Sequence, residues 1–203
     1  MVKILGIVGS PRKDGNTEMV IKTVLESAKT EGADIELLHL SDFHLEPCDG
    51  CWTCLKTKVC VKTDDIEKLF EAMIKADGIV LGSPVYFATV PSQVIALIDR
   101  VGALDNARGH AAPHGMTGNF VNKVGGAVTV ARRTGMINAW TQILLFLMRS
   151  GMIISSGARV ICIGREKGDV INDKEGIDEA KLLGCRITQI AHLTEPLRQK
   201  RLP

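Results

Sequence analysis

The sequence predicts an α/β protein: a doubly wound, five-stranded parallel sheet with helices on both faces. Two observations carry this. Short apolar runs recur along the 203 residues without the polar alternation of a half-exposed strand, and between them lie stretches whose apolar residues repeat at helical spacing. Strands and helices that take turns in this way build parallel sheets, because each crossover helix covers a sheet face.

Lys3 to Val8 is the first apolar run and reads as a buried strand. Asn16 to Thr30 is a helix with Met19, Val20, Val24 and Leu25 on one side. Ile35 to Leu40 is the second strand. Asp64 to Ala76 is an amphipathic helix whose inner stripe is Ile66, Leu69, Phe70 and Met73. Gly78 to Leu81 is the third strand, and Pro91 to Val101 follows as a helix with proline at its start, where a missing N–H does no harm. Val124 to Val130 and Ala158 to Ile163 are the fourth and fifth strands, on either side of a long apolar helix around Trp140. Glu175 to Leu193 closes the chain. Right-handed crossovers narrow the topology. For five strands the natural order is the flavodoxin-like 2-1-3-4-5, whose ligand sits at the carboxyl ends of strands one and three.

Composition bounds the rest. The length fits one domain over 1–203, elaborated by a cysteine loop at 47–62 and a long connection at 103–121. A net charge of +2 gives no electrostatic footprint for nucleic acid. The most apolar stretch, Met136 to Ile154, is interrupted by Asn138, Gln142 and Arg149, so no membrane span is expected. The N-terminus runs straight into a strand without a cleavage site, so no signal peptide is expected and a cytoplasmic protein is the expectation. Four of the six cysteines fall between Cys48 and Cys60; in such a chain a metal site is a better reading than disulfides.

The loop after strand one, Gly9-Ser10-Pro11-Arg12-Lys13-Asp14-Gly15-Asn16-Thr17, offers donors throughout. Its glycines permit close backbone approach, Ser10, Asn16 and Thr17 carry donor side chains, and Arg12 can grip a phosphate at a helix N-terminus. It has neither the dinucleotide glycine spacing nor the Gly-Lys-Ser/Thr of a triphosphate loop. A capped polar turn has the same composition, so taken alone the loop supports either reading. After strand three, Pro84 fixes the backbone, the amides of Val85 to Phe87 can meet a polar ligand edge, and Tyr86 and Phe87 can cover an apolar ring. After strand four, Ala131, Arg132 and Arg133 complete the set.

Gly9-Ser10-x-Arg12 with Gly15-Asn16-Thr17, and Gly82-Ser83-Pro84-Val85-Tyr86-Phe87, resemble the phosphate and isoalloxazine loops of the NADPH-dependent FMN reductase branch of flavodoxin-like proteins. The resemblance implies FMN held by Ser10, Arg12, Gly15, Asn16, Thr17, Pro84, Val85, Tyr86 and Phe87. Ala131, Arg132 and Arg133, within Thr129 to Gly135, form a third loop that departs from the family's small residues; its two arginines can hold a negative reduced flavin, or point at solvent or a partner subunit.

Cys48, Cys51 and Cys54 are separated by two residues each, and Cys60 follows after five more. Two-residue spacings let a looping chain aim successive sulfurs at one centre, as in ferredoxin cluster loops. Four thiolates also suit zinc, although structural zinc usually takes two separated Cys-x-x-Cys pairs. Free thiols in a surface loop are a third reading. The whole arrangement resembles the iron–sulfur flavoproteins of anaerobic archaea and bacteria. That family implies a 4Fe–4S cluster on Cys48, Cys51, Cys54 and Cys60 exchanging electrons with FMN in a homodimer or homotetramer, and a ferredoxin-like donor. An NAD(P)H-dependent FMN or quinone reductase without a functional cluster is the alternative. Both are oxidoreductases that need no protein acid or base.

Other residues carry less. His110 and His114 sit in the 103–121 connection, Asp99 and Arg100 read as a helix-end pair, and Cys162 and Cys185 read as structural. Lys56, Lys58 and Lys62 around the cysteines read by default as a solvated basic loop.

Overall fold

A computed structural model describes residues 1–109 and 118–199. The strands β1 (Lys3–Val8), β2 (Asp34–His39), β3 (Gly78–Pro84) and β4 (Val124–Ala131) pair in parallel in the order β2-β1-β3-β4. The fifth position is filled in two pieces. β5 (Ile153–Ile154) pairs with Val124 and Gly125 at the start of β4, and β6 (Val160–Ile163) pairs with Val128 to Ala131 at its end. The expected 2-1-3-4-5 order is therefore observed, but its last strand is broken. Ser155-Ser156-Gly157, with Gly157 at φ 93, supplies the break and delays the second piece to Val160.

Side chains alternate across β1. Leu5 and Ile7 join a core with helices α3 (Ile66–Lys75), α4 (Ser92–Arg108) and α5 (Met136–Arg149), while Ile4 and Val8 join one with α1 (Asn16–Thr30) and α6 (Lys174–Leu193). In α3 the predicted stripe of Ile66, Leu69, Phe70 and Met73 is wholly buried. At about 1.5–3 kcal/mol for each such side chain, that burial supplies what a short helix lacks in isolation. On the other face α1 and α6 meet closely at Gly184, where any Cβ would collide with the Val24 carbonyl. Asp173 starts α6, its carboxylate accepting the Gly176 amide at 3.1 Å.

The long connection is shorter than its composition implied. α4 continues to Arg108, because Val94, Leu97, Val101, Leu104 and Ala107 prolong one apolar stripe through residues whose Gly, Ala and Asn content suggested a loop. His110 and His114 lie outside the described residues. Past that segment Phe120 is buried edge-on against Phe70, ring centroids 5.5 Å apart. A single turn, α2 (Cys54–Thr57), sits within the cysteine segment, and α7 (Glu195–Gln199) ends the described chain. Among the described residues no helix is long and apolar enough to cross a membrane.

Candidate functional site

A cleft of about 390 Å³ opens at the carboxyl ends of the strands. Ser10, Arg12, Gly15, Asn16 and Thr17 line it from the loop after β1, Pro84, Val85 and Tyr86 from the end of β3, and Ala131 and Arg132 from the end of β4. These are ten of the twelve positions singled out in the sequence. The other two, Phe87 and Arg133, are not part of this lining, and Phe87 is wholly exposed.

The first loop is fastened to its neighbour strand by the Gly9 amide, which donates to Gly82 O at 2.7 Å. Ser10 and Thr17 are buried, and Ser10 Oγ accepts the Arg12 amide at 3.2 Å, which folds the loop back toward the start of α1. Below it lies Glu18, whose carboxylate accepts the Asp14 amide at 2.5 Å and pairs with Lys22 at 2.6 Å. Burial opposes its charge, but Lys22 and that amide outweigh it and hold Glu18 below the usual carboxylate range.

Asn16, which lines the cleft, also has a structural role. Its Nδ2 donates to Glu166 O and its Oδ1 accepts the Gly168 amide, so both ends of the side chain fasten the loop after β6. That loop, Gly164-Arg165-Glu166-Lys167, also lines the cleft and was missed from sequence. The available signal was position: it follows the fifth strand, at the same edge as the other three loops, and it carries two cations.

After β3, Tyr86 and Thr89 form a tight antiparallel bridge whose two central residues, Phe87 and Ala88, have φ 49 and 66. Left-handed backbone at two non-glycine residues is uncommon and needs support. It comes from α5: Asn138 Nδ2 donates to Ala88 O at 2.7 Å, while Gln142 Oε1 accepts from Thr89 Oγ1 at 2.7 Å and from the Val90 amide at 3.2 Å. The polar residues that interrupt the apolar helix thus hold the turn carrying Tyr86.

A second cavity, of about 350 Å³, is lined by Cys48, Cys51, Cys54 and Cys60 together with Trp52, Lys62 and the α4 residues Asp99, Arg100, Ala103, Leu104 and Asn106. All four thiols are free. The segment turns repeatedly, with Gly50, Trp52 and Lys58 at positive φ. It is fastened to α4 by Lys58 Nζ, which donates to Ala107 O at 2.6 Å, and by Arg108 Nε, which donates to Lys58 O at 2.5 Å. Lys62 pairs with Glu46 at 3.2 Å and Asp49 at 3.5 Å. Lys58 and Lys62 therefore brace the loop, whereas the sequence had left them as solvated charges.

Burial pushes the Cys54 thiol up, and so do Cys60, Cys51 and Cys48, each of which repels its thiolate. Among the described residues no group of three His, Cys, Asp or Glu side chains is placed to hold a metal ion. Burial pushes Cys162 up to about 12, which keeps it an inert thiol, as expected of a structural cysteine.

Arg100 is the largest departure from the sequence reading. It stands within α4, not at its end, and its partner is Asp64 rather than Asp99. Burial disfavours charge on both, but the Arg100 fork and the amides of Glu46 and Ile66 hold Asp64 below the usual carboxylate range.

The fold and the first cleft define a flavodoxin-like α/β protein. RosB, in a crystal structure with a bound 8-demethyl-8-formylriboflavin-5'-phosphate intermediate, superposes with a TM-score of 0.78 at 16% identity, over 98% of this chain and 82% of that one. An archaeal flavodoxin superposes at 0.62 and 16% identity, over 94% and 99%. In sequence, an iron–sulfur flavoprotein of Methanocaldococcus jannaschii is 34% identical over 200 residues, 95% of this chain and 98% of the relative. One of Archaeoglobus fulgidus is 33% identical over 215 residues, 98% and 100% of the two chains. The NADPH-dependent FMN reductase family model matches residues 2–164. The chain belongs to that family, and within it to the iron–sulfur flavoproteins. It is an oxidoreductase of the flavoprotein class.

Proposed function

We propose that this protein passes electrons between a 4Fe–4S cluster held by Cys48, Cys51, Cys54 and Cys60 and FMN seated in the cleft at the strand ends. The observation that carries the reading is that four thiols from one short segment, which follows β2, line a single cavity.

When bound, the cluster supplies one-electron steps and the flavin collects electron pairs. The chain's own part is to bind and orient. Ser10, Arg12, Gly15 and Thr17 offer donors to the flavin phosphate at the N-terminus of α1, with Arg165 and Lys167 closing the other side. Pro84, Val85 and Tyr86 bound the ring, Ala131 and Arg132 its remaining edge, and Phe87 and Arg133 extend the site outward. A ferredoxin-like protein is the donor in this reading. The exposed apolar residues Ile137, Leu145 and Met148 on α5 favour a homo-oligomer, a dimer or tetramer of this chain.

Purification without air, followed by iron, acid-labile sulfide and FMN analysis with a visible spectrum, tests it. Iron and sulfide in equal amounts beside flavin is the expected result. Zinc, or flavin without metal, overturns the cluster. That outcome favours the second reading, an NAD(P)H-dependent FMN or quinone reductase, which the family match supports equally.

A further inference from the structure

Arg100 is 2% exposed, and its pair with Asp64 is buried on both sides. Nη1 meets Asp64 Oδ2 and donates to Glu46 O at 3.0 Å, while Nη2 donates to Asp64 Oδ1 at 2.9 Å. The same Nη2 reaches Cys60 Sγ at 3.1 Å. The Nε–H has no partner among the described residues. Taking a guanidinium and a carboxylate out of water costs several kcal/mol for each ion, and well-packed apolar residues often replace such pairs without loss. Apart from Asp105, the other buried residues of α4 are apolar, so packing alone gives no reason for an arginine at this position. An apolar residue could supply neither the bond to Glu46 O nor the one to sulfur, and the second of these touches a cysteine of the cluster reading.

We propose that Arg100 is a positioning residue that tunes the iron–sulfur group: its Nη2–H donates to the Cys60 sulfur and raises the group's reduction potential, with Asp64 fixing the guanidinium. This rests on the cluster reading above. Reduction adds negative charge to the group and its sulfurs. An N–H donor with a positive charge behind it favours that state, and hydrogen bonds to ligand sulfurs are among the determinants of cluster potential. The planar fork suits the task. Two of its contacts go to one carboxylate, which leaves Nη2 little freedom to turn away from Cys60.

The unmodified protein, prepared without air, is first assayed for iron and sulfide; their absence sinks the cluster reading and this inference with it. Arg100→Lys and the double substitution Arg100→Met with Asp64→Leu are then titrated potentiometrically, followed by electron paramagnetic resonance. Removing both charges together leaves neither buried alone; the double variant also frees the Glu46 and Ile66 amides that Asp64 accepts, so FMN binding checks that its fold survives. Both variants are expected to retain iron and to be reduced at more negative potential. In the double variant the reduced-to-oxidised ratio at fixed poise falls at least tenfold, about 59 mV for one electron. The lysine variant, which keeps the charge but loses the fork, falls between. An unchanged midpoint in the double variant overturns the proposal. Loss of iron from either variant also overturns it, because the pair is then only a strut for the loop.

Discussion

Asn16, the first residue of α1, is bound to the loop after β6 through both ends of its amide: Nδ2 to Glu166 O at 2.8 Å and Oδ1 from the Gly168 amide at 2.7 Å. It thereby closes two walls of the cleft that come from opposite ends of the sequence. Each neutral bond contributes about 0.5–1.5 kcal/mol. Asn16→Ala is therefore expected to weaken FMN binding by roughly tenfold or more, with little change in salt dependence. Quenching of flavin fluorescence on titration into apoprotein measures both.

Arg12 gives the contrasting case. With Arg132, Arg165 and Lys167 it sets four cations around the cleft against the single carboxylate of Glu166. Arg12 is exposed, so screening limits its effect. Arg12→Gln is expected to reduce FMN affinity about threefold to tenfold at low ionic strength, and by less at physiological salt of about 0.15 M. Equal losses at both salts would show that Arg12 acts through loop shape rather than charge.

Cys51→Ser separates the two sites. The cysteine segment is braced by Lys58, Arg108 and Lys62, none of which touches the Cys51 thiol. The substitution is expected to abolish iron binding while FMN binds with unchanged affinity. Loss of flavin along with iron would mean that the cysteine segment shapes the cleft.

Much of this was legible from residues alone, for a physical reason. Strand and helix patterns are local, so the apolar runs from Lys3 and Gly78 and the stripe of α3 placed their elements to within a few residues. Loop position follows from strand order, which brought Ser10 and Tyr86 to one cleft. Pairings across long separations left no trace. Arg100 finds Asp64 thirty-six positions away, and Asn16 finds Glu166 at a separation of 150. Arg100 was also misread because the expected helix ended at Val101, which made a buried mid-helix cation look like a terminal one. The roles of Asn138 and Gln142 depend on a strained turn at Phe87 and Ala88 that no local pattern announces.

Gly184→Ala tests the packing of α6 on α1. An added Cβ meets the Val24 carbonyl and lies 2.7 Å from Ser27 Cβ, so backbone must move. Overpacking of this kind costs about 1–3 kcal/mol, and for a chain of this size each kcal/mol lowers the melting temperature by about 2–4 °C. A fall of roughly 5 °C by calorimetry is expected. An unchanged melting temperature would show that the two helices separate freely.

Lys123 gives the protein an alkaline dependence of stability. Its ammonium is buried just before β4, where it donates to Ile74 O at 2.7 Å and to Ala76 O at the end of α3. Burial lowers its pKa from 10.5 to about 8; Asp77 opposes the shift and Arg198 adds to it. Between about pH 8 and 10.5 the unfolded chain keeps a proton there that the folded chain has released. Stability rises with pH wherever the unfolded state binds more protons, so this residue makes the protein more stable as pH climbs through that window. The shift corresponds to at most about 3 kcal/mol. Lys123→Met leaves the two carbonyls unpaired, so its absolute stability reflects two opposing changes, but its pH slope reflects only the missing proton. Urea unfolding of both proteins across the window should show their difference growing in favour of the native chain as pH rises, since other alkaline groups titrate alike in both. Parallel curves would mean that the two carbonyl bonds hold the ammonium charged throughout.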